Sequence, residues 1–317
     1  MSTRLTVVVP THDTRELTLR CLASLAAEGR AIATIVVDDG GSDGTAEAIA
    51  ARCPQVRVLR LSPGRGFTAA ANHGLMAAES ELMLLLNSDA EVAPGALARM
   101  IGAFDARPCL GAAGAALHFP DGRPQWSGGR EPTLGWLLTL ASGAAPVAAR
   151  LPGYRRVHPL HRDSATTVDW VTGAALAMRR TVWDAVGALD ERFRLYAQDL
   201  DWCVRVRDAG YEVAILPDVR VTHVGGATIG RLPGAVGAAH PERLWEDLVR
   251  WVAKRHGAAA ARRAIGALRF GGALRLAARA LAGQMLPPHA RRLWEEESAG
   301  YRRARAALAT FSAMATS

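Results

Sequence analysis

Apolar and polar positions change period in a repeating way along the first part of the chain. Residues 5–9 (LTVVV) form a β-branched run closed by Pro10, and 16–27 place Leu17, Cys21, Leu22 and Leu25 at helical spacing. A second strand-like run, 32–37, ends in the acidic, glycine-rich turn DDGGSDGT, 38–45. The scheme recurs with a strand at 56–59, a loop and helix from Gly64, and the run LMLLL from Leu82. Strands alternating with helices predict a mostly parallel sheet with right-handed crossovers.

The run from Leu82 shows no polar alternation, as expected of a strand buried on both faces, and it stops abruptly at Asn87-Ser88-Asp89. In an open α/β sheet, ligands bind in the crevice outside the carboxyl ends of the strands. Asp89 there is a hard oxygen donor suited to a divalent cation on a diphosphate, or else a solvated loop carboxylate.

Beyond it, 94–104 predicts a helix and 111–119 a strand. From 120 to 165 Gly, Pro and Arg are frequent, with Trp126, Trp136 and Tyr154 interspersed, which reads as a substrate-facing loop holding a short helix. The tryptophans would stack on sugar faces or anchor the loop. Residues 168–178 predict a strand broken at Gly173, and 179–186 a helix. A further helix spans 196–207, with Gly210 as its terminator. Asp199 falls at that helix's N-terminus, where free amides favour a carboxylate, either as a cap or as a general base. Strands at 213–216 and 219–223 end in His223 beside a glycine pair. After Gly230 come two basic amphipathic helices, 243–256 and 258–281, typified by Leu268, Leu274 and Leu276 against Arg269, Arg275 and Arg279. Such helices pack on a core or lie in a membrane interface. Residues 293–310 are mixed.

Composition narrows the function classes. The 317 residues can bury a sizeable core, and 50% hydrophobic with 21% charged residues is globular. The net charge of +8 rests on Arg, Lys254 being the only Lys, and suits nucleotide phosphates, nucleic acid or an anionic membrane. The Arg residues are dispersed and no RNP, zinc-finger or helix-turn-helix signature occurs, so nucleic acid is not expected. Cys21, Cys53, Cys109 and Cys203 show no CxxC spacing and read as ordinary buried thiols in a reducing cytoplasm. No signal-peptide pattern and no apolar stretch of about 18 residues is present. The first βα turn reads VVVPTHDT, without GxGxxG, and GxxxxGK[ST] is absent, which argues against NAD, FAD and a P-loop.

The segments VVVPTHDTRE, VVDDGGSDGT, GRGFTAAANHGL, LLLNSDAEVAPGAL and the stretch from DWVTGAALAMRR through YAQDLDW to VTHVGGA resemble, in this order, the landmarks of the family 2 glycosyltransferases, inverting enzymes of the GT-A fold. The resemblance is closest to the rhamnosyltransferase-like and galactofuranosyltransferase-like branch. It covers roughly residues 5–229. It implies an α/β GT-A fold, with a Rossmann-like, mostly parallel sheet flanked by helices over 1–230; the helical runs of 231–317 lie outside the resemblance and read as a C-terminal helical extension. It implies a metal-dependent enzyme moving a sugar, rhamnose first, from a nucleotide diphosphate donor (dTDP-rhamnose or a UDP-sugar). The acceptor would be a saccharide; the basic helices after Gly257, if they dock on the anionic inner face of the cell membrane as a peripheral contact and are not plain packing helices, point to a polyprenyl-diphosphate-linked one.

Residue by residue, the resemblance makes Pro10 and Thr11 the start of the nucleotide loop and Asp38 with Asp39 the acidic pair that receives the base. It assigns Arg65, Gly66, Phe67, Asn72, Asn87 and Ser88 to the nucleotide as well. Asp89 and His223 would hold Mg²⁺ or Mn²⁺. Asp199 would be the catalytic base, and Trp170, Thr172, Gly173, Gln198 and Asp201 would meet the acceptor. Three positions depart from the pattern: Gln198 where Glu is usual, Gly41 where DDGSxDGT has Ser, and Arg65 within GRGF where NxGF is common. The neutral Gln198 motivates a rival reading as an inactive nucleotide-sugar-binding or carbohydrate-binding protein.

Overall fold

The computed structural model describes residues 3–29, 32–148, 166–225, 240–285 and 287–314. Tyr154, the glycine pair's Gly226 and the stretch 149–165 lie outside them. The described chain divides into two compact units, one of residues 1–131 with 158–228 and the other of 132–157 with 229–317.

The first unit is built on a nine-stranded sheet. Its strands are β1 (Leu5–Thr11), β2 (Ala33–Asp39), β3 (Arg57–Leu61), β4 (Leu82–Leu86), β5 (Ala90–Val92), β6 (Leu110–His118), β8 (Thr166–Val168), β10 (Ala175–Arg179) and β11 (Glu212–His223). The order is β3-β2-β1-β4-β10-β6-β11-β5, with β8 also paired to β11. β7 (Gly128–Gly129) and β9 (Trp170–Val171) make a separate two-stranded sheet. Strands β1 to β4 pair in parallel, as the alternating pattern predicts, and β10 runs antiparallel between β4 and β6. All five residues of β4 are buried, so the unbroken LMLLL run does mark a strand covered on both faces.

Helices α1 (Arg15–Ala26), α2 (Thr45–Arg52), α3 (Phe67–Met76) and α4 (Ala96–Ala106) supply the crossovers. Cys21, Leu22 and Leu25 of α1 join Ile49, Leu97, Met100 and Phe104 against the sheet in one core cluster. The Glu28 carboxylate accepts from Gly95 N (2.6 Å) and Leu97 N (3.0 Å), which satisfies free amides at the start of α4.

Several elements differ from the expected ones. The strand expected over 168–178 is three pieces in two sheets. Asp169, the residue between β8 and β9, turns its carboxylate to Arg130, Arg207 and the Glu131 amide, which interrupts the ladder. The two strands expected at 213–216 and 219–223 are one, β11, with a register shift between Leu216 and Arg220. β5 went unforeseen because three residues carry no periodicity. Of the four thiols only Cys21 and Cys203 are buried; Cys53 is half-buried and Cys109 exposed.

The second unit holds α5 (Leu134–Ser142) and α6 (Ala145–Ala148), from the stretch read as a loop holding a short helix, with α9 (Pro241–Gly283) and α10 (Pro288–Met314). α9 is kinked at Gly257 (φ 82°, ψ 173°), at the boundary expected between two helices. Trp245, Trp251, Leu268, Tyr301 and Leu308 are buried in it. Arg275 and Arg279 lie over the rings of Tyr301 and Trp294. Among the described residues no helix is long and apolar enough to cross a membrane.

Candidate active site

Sheet register gathers the acidic stations. β1 pairs with both β2 and β4, so Thr11, Asp38 and the Asn87-Ser88-Asp89 turn follow neighbouring strand ends. β10 lies antiparallel to β4 with Ala175 opposite Leu86, and Asn87 N donates to Ala174 O (3.0 Å). Gly173 N in turn donates to Asp199 Oδ2 (2.7 Å). β11 pairs with β5 so that His223 faces Ala90, beside Asp89. Asp199, Asn87, Asp89 and His223 therefore meet at one end of the sheet.

Asp199 lies in the first turn of the helix α8 (Gln198–Asp208), which follows α7 (Arg180–Val186). The helix starts after Ala197, held left-handed at φ 62°, ψ 0°. Asp199 accepts from Gly173 N and from Leu200 N (2.8 Å), and pairs with no cation among the described residues. Burial pushes its carboxyl above the usual aspartate range, and the hydrogen bonds from Gly173 and Leu200 only partly offset this. A carboxylate destabilised in its charged form is a stronger base. Gln198 is buried beside it, and its Oε1 has no hydrogen-bond partner among the described residues.

Asp201 is placed differently. It is 4% exposed, and Oδ2 accepts from Arg205 Nε (3.0 Å); Arg205 also donates to Ala188 O and Val186 O. Its carboxylate serves an ion pair within the helix. Trp170 donates from Nε1 to Arg130 O (3.1 Å) and meets the half-exposed Trp126 edge to face, centroids 4.9 Å apart. Thr172 N donates to Ser127 O (3.0 Å), which holds the Thr172-Gly173 turn against the segment carrying Trp126.

Among the residues expected to meet the nucleotide, Asp39 is committed to the loop before α3, accepting from Arg65 N (2.6 Å) and Gly66 N (2.8 Å). Asp38 accepts from Gly41 N (2.9 Å) and, weakly, from Arg60 Nε (3.5 Å). A Cβ on Gly41 would stand 2.7 Å from Asp38 Oδ1, a contact that the missing serine avoids. Gly64 passes so close to the Asp39 carbonyl that no side chain fits there. The Arg65 guanidinium faces Glu191 (3.4 Å). Asn72 donates to Leu189 O (2.9 Å) and accepts from Leu189 N (3.0 Å), so it ties α3 to the 189–191 segment. Phe67 is the first residue of α3 and follows Gly66, held at φ 95°. Thr11, Thr14, Thr18 and Ser88 form a buried chain of hydroxyls beneath the strand ends, and Pro10 is buried in β1.

The two residues expected to hold a metal, Asp89 and His223, are adjacent. His223 Nε2 lies 3.2 Å from Asp89 Oδ1, and Asn87 Nδ2 donates toward the same nitrogen (3.2 Å). Asp89 Oδ2 accepts from Gly225 N (3.0 Å). Asn87 Oδ1 is buried without a partner among the described residues. These acceptors make an electron-rich point that a cation would satisfy, and the carboxylate and amide oxygens are donors that suit Mn²⁺ or Mg²⁺. Among the described residues no set of three or more His, Cys, Asp or Glu gathers. Gln125 went unnoticed in the sequence. Its Nε2 donates to His223 O (2.5 Å) and its Oε1 lies 2.9 Å from His223 Nδ1. It sits 98 residues from His223 in a segment without periodicity, so no sequence signal points to it.

Known proteins share this architecture. A mannosyltransferase from Pyrobaculum calidifontis, solved with GDP-Man and Mn²⁺, superposes with a TM-score of 0.57 at 20% identity, over 99% of this chain and 87% of that one. GalNAc-T7, solved with UDP, GalNAc and Mn²⁺, gives 0.55 at 16% identity, over 79% and 47%. In sequence, the N-acetylglucosaminyl-diphospho-decaprenol L-rhamnosyltransferase of Mycobacterium tuberculosis is 30% identical over 256 residues, 76% of this chain and 82% of that protein. An O-antigen biosynthesis protein of Myxococcus xanthus is 27% identical over 227 residues, 69% of this chain and 17% of that one. The family model "Glycosyl transferase family 2" matches residues 6–179. The matched span carries the strand ends with Asp38 and Asp89, the rhamnosyltransferase alignment extends over most of the chain, and the sheet has GT-A neighbours; the chain belongs to the family 2 glycosyltransferases.

Proposed function

We propose that this glycosyltransferase transfers L-rhamnose, with inversion, from dTDP-rhamnose to a hydroxyl of a polyprenyl-diphosphate-linked saccharide, as a step in cell-wall or polysaccharide assembly. The carrying observation is Asp199: a half-buried carboxyl, free of cationic partners among the described residues, tied through Gly173 to the strand end that bears Asn87 and Asp89. Donor and acceptor classes are supported by the name of the mycobacterial relative.

Asp199 takes the proton from the acceptor hydroxyl as its oxygen attacks the anomeric carbon and the nucleoside diphosphate departs from the opposite face. Asp89 and His223 would hold Mg²⁺ or Mn²⁺, which when bound neutralises charge on the departing diphosphate. Pro10, Thr11 and Asp38 line the base side, with Asp39 shaping the Arg65-Gly66-Phe67 loop around the diphosphate. Asn72, Asn87 and Ser88 support that pocket. Trp170, Thr172, Gly173, Gln198 and Asp201 form the acceptor side, the first four near the sugar and Asp201 through the helix it stabilises. This reading takes residues 1–230 as the transferase domain and 231–317 as a helical extension.

The enzyme works at the cytoplasmic face of the membrane. Support comes from α9, where Phe270, Leu274 and Leu281, with Met285 just past its end, are 47–88% exposed at i, i+4, i+11 and i+15. Between Ala258 and Met285 five arginines occur and no Asp or Glu. Arg262, Arg269 and Arg305 line a groove of about 440 Å³ with Ile265 and Phe270. An apolar stripe flanked by arginines suits an anionic bilayer.

The deciding experiment is product analysis with dTDP-rhamnose, UDP-sugars and a prenyl-diphosphate-linked saccharide, using wild type and Asp199→Asn. The expected result is rhamnosyl product from wild type, and near-complete loss in the variant with dTDP still bound. Transfer by Asp199→Asn at near the wild-type rate would remove Asp199 as the base.

A further inference from the structure

We infer that Gln125 is a positioning residue that locks the His223 ring with its Nε2 lone pair turned toward Asp89 and the cation. This rests on the metal role of Asp89 and His223 proposed above. The orientation of the Gln125 amide is fixed because its Nε2 donates to the His223 carbonyl (2.5 Å), which can only accept. Oε1 therefore faces His223 Nδ1 at 2.9 Å, and since an amide oxygen cannot donate, Nδ1 must carry the proton. The remaining ring nitrogen, Nε2, is the atom 3.2 Å from Asp89 Oδ1.

One side chain thus grips both the backbone and the ring of the same histidine. Ring rotation would break the Nδ1 bond, and tautomer exchange would set two acceptors against each other. Gln125 is itself held, with its backbone N–H donating to Leu117 O (2.8 Å) and its side chain buried. β6 and β11 run side by side there, Leu117 opposite Val221 and His118 opposite Thr222, which brings Gln125 level with His223. An imidazole that ligates a metal through one nitrogen and donates from the other to a fixed acceptor gains orientation and basicity.

The test is Mn²⁺ binding, followed by electron paramagnetic resonance with dTDP present, on wild type, Gln125→Leu, Gln125→Glu and His223→Ala. Glutamate keeps an acceptor for Nδ1–H but loses the donor to the His223 carbonyl, whereas leucine loses both. The expected result is a ~10–100-fold weaker Kd for Gln125→Leu, and a Kd near wild type for Gln125→Glu. Equal weakening in both variants would reduce Gln125 to a structural tie and overturn the inference, as would wild-type binding by Gln125→Leu. Wild-type Mn²⁺ affinity in His223→Ala would instead overturn the metal reading, and the Gln125 role with it. Thermal melts in EDTA identify a misfolded variant; should Gln125→Leu not fold, weak binding by a folded Gln125→Glu would still overturn the proposal.

Discussion

Asp199 and Asp201 lie two positions apart in one helix, and their surroundings separate their behaviour. Asp201 has Arg205 at 3.0 Å, while among the described residues Asp199 has only backbone amides and a neutral Gln198. For Asp199, burial raises the folded-state pKa above the unfolded value. The charged form is therefore disfavoured in the fold, a cost absent below the unfolded pKa and complete above the folded one. Two outcomes are expected. The acid limb of kcat/KM against pH lies above the ordinary aspartate range, because the base must be deprotonated to act; Gln198→Glu moves it further up by adding a like charge. Asp199→Asn lowers kcat by ~10²–10⁴-fold, and its thermal stability gains relative to wild type as pH rises through the folded pKa. A limb at the usual aspartate position would refute the burial argument. Ala197 adds a separate expectation: at φ 62° a Cβ is strained, so Ala197→Gly stabilises by ~1 kcal/mol in denaturant unfolding.

At the scale of elements, α9 shows how one amphipathic pattern divides its apolar residues. Leu268, singled out from the sequence, is fully buried, while Leu274 is 47% exposed along with Phe270 and Leu281. Helical periodicity identifies apolar positions, but which of them face a neighbour depends on where α5 and α10 lie. Phe270→Ser with Leu281→Ser should change unfolding free energy by no more than about 0.5 kcal/mol and reduce co-sedimentation with phosphatidylglycerol vesicles. Leu268→Ala should cost ~2–5 kcal/mol. Vesicle binding unchanged in the double variant would assign the stripe another partner.

For the whole molecule, the proposed metal pair joins chain segments more than a hundred residues apart, Asp89 from β4's end and His223 from β11's. EDTA is expected to abolish transfer and Mn²⁺ or Mg²⁺ to restore it, with dTDP binding weakened by Asp89→Ala; full activity in EDTA would leave the Asp89–His223 pair without its proposed role.

The sequence by itself determined the alternating αβ order, the buried β4 strand, the acidic turns at strand ends and the family, because each is written in local period or in contiguous motifs. It left open what depends on partners distant in the chain. The antiparallel insertion of β10, the division of 166–179 between two sheets, the commitment of Asp39 and Asn72 to neighbouring loops and the Gln125 contact to His223 were decided only by tertiary structure. The physical reason is that a polar side chain's role is set by which donor or acceptor reaches it first, and that choice is made by strand register across the sheet.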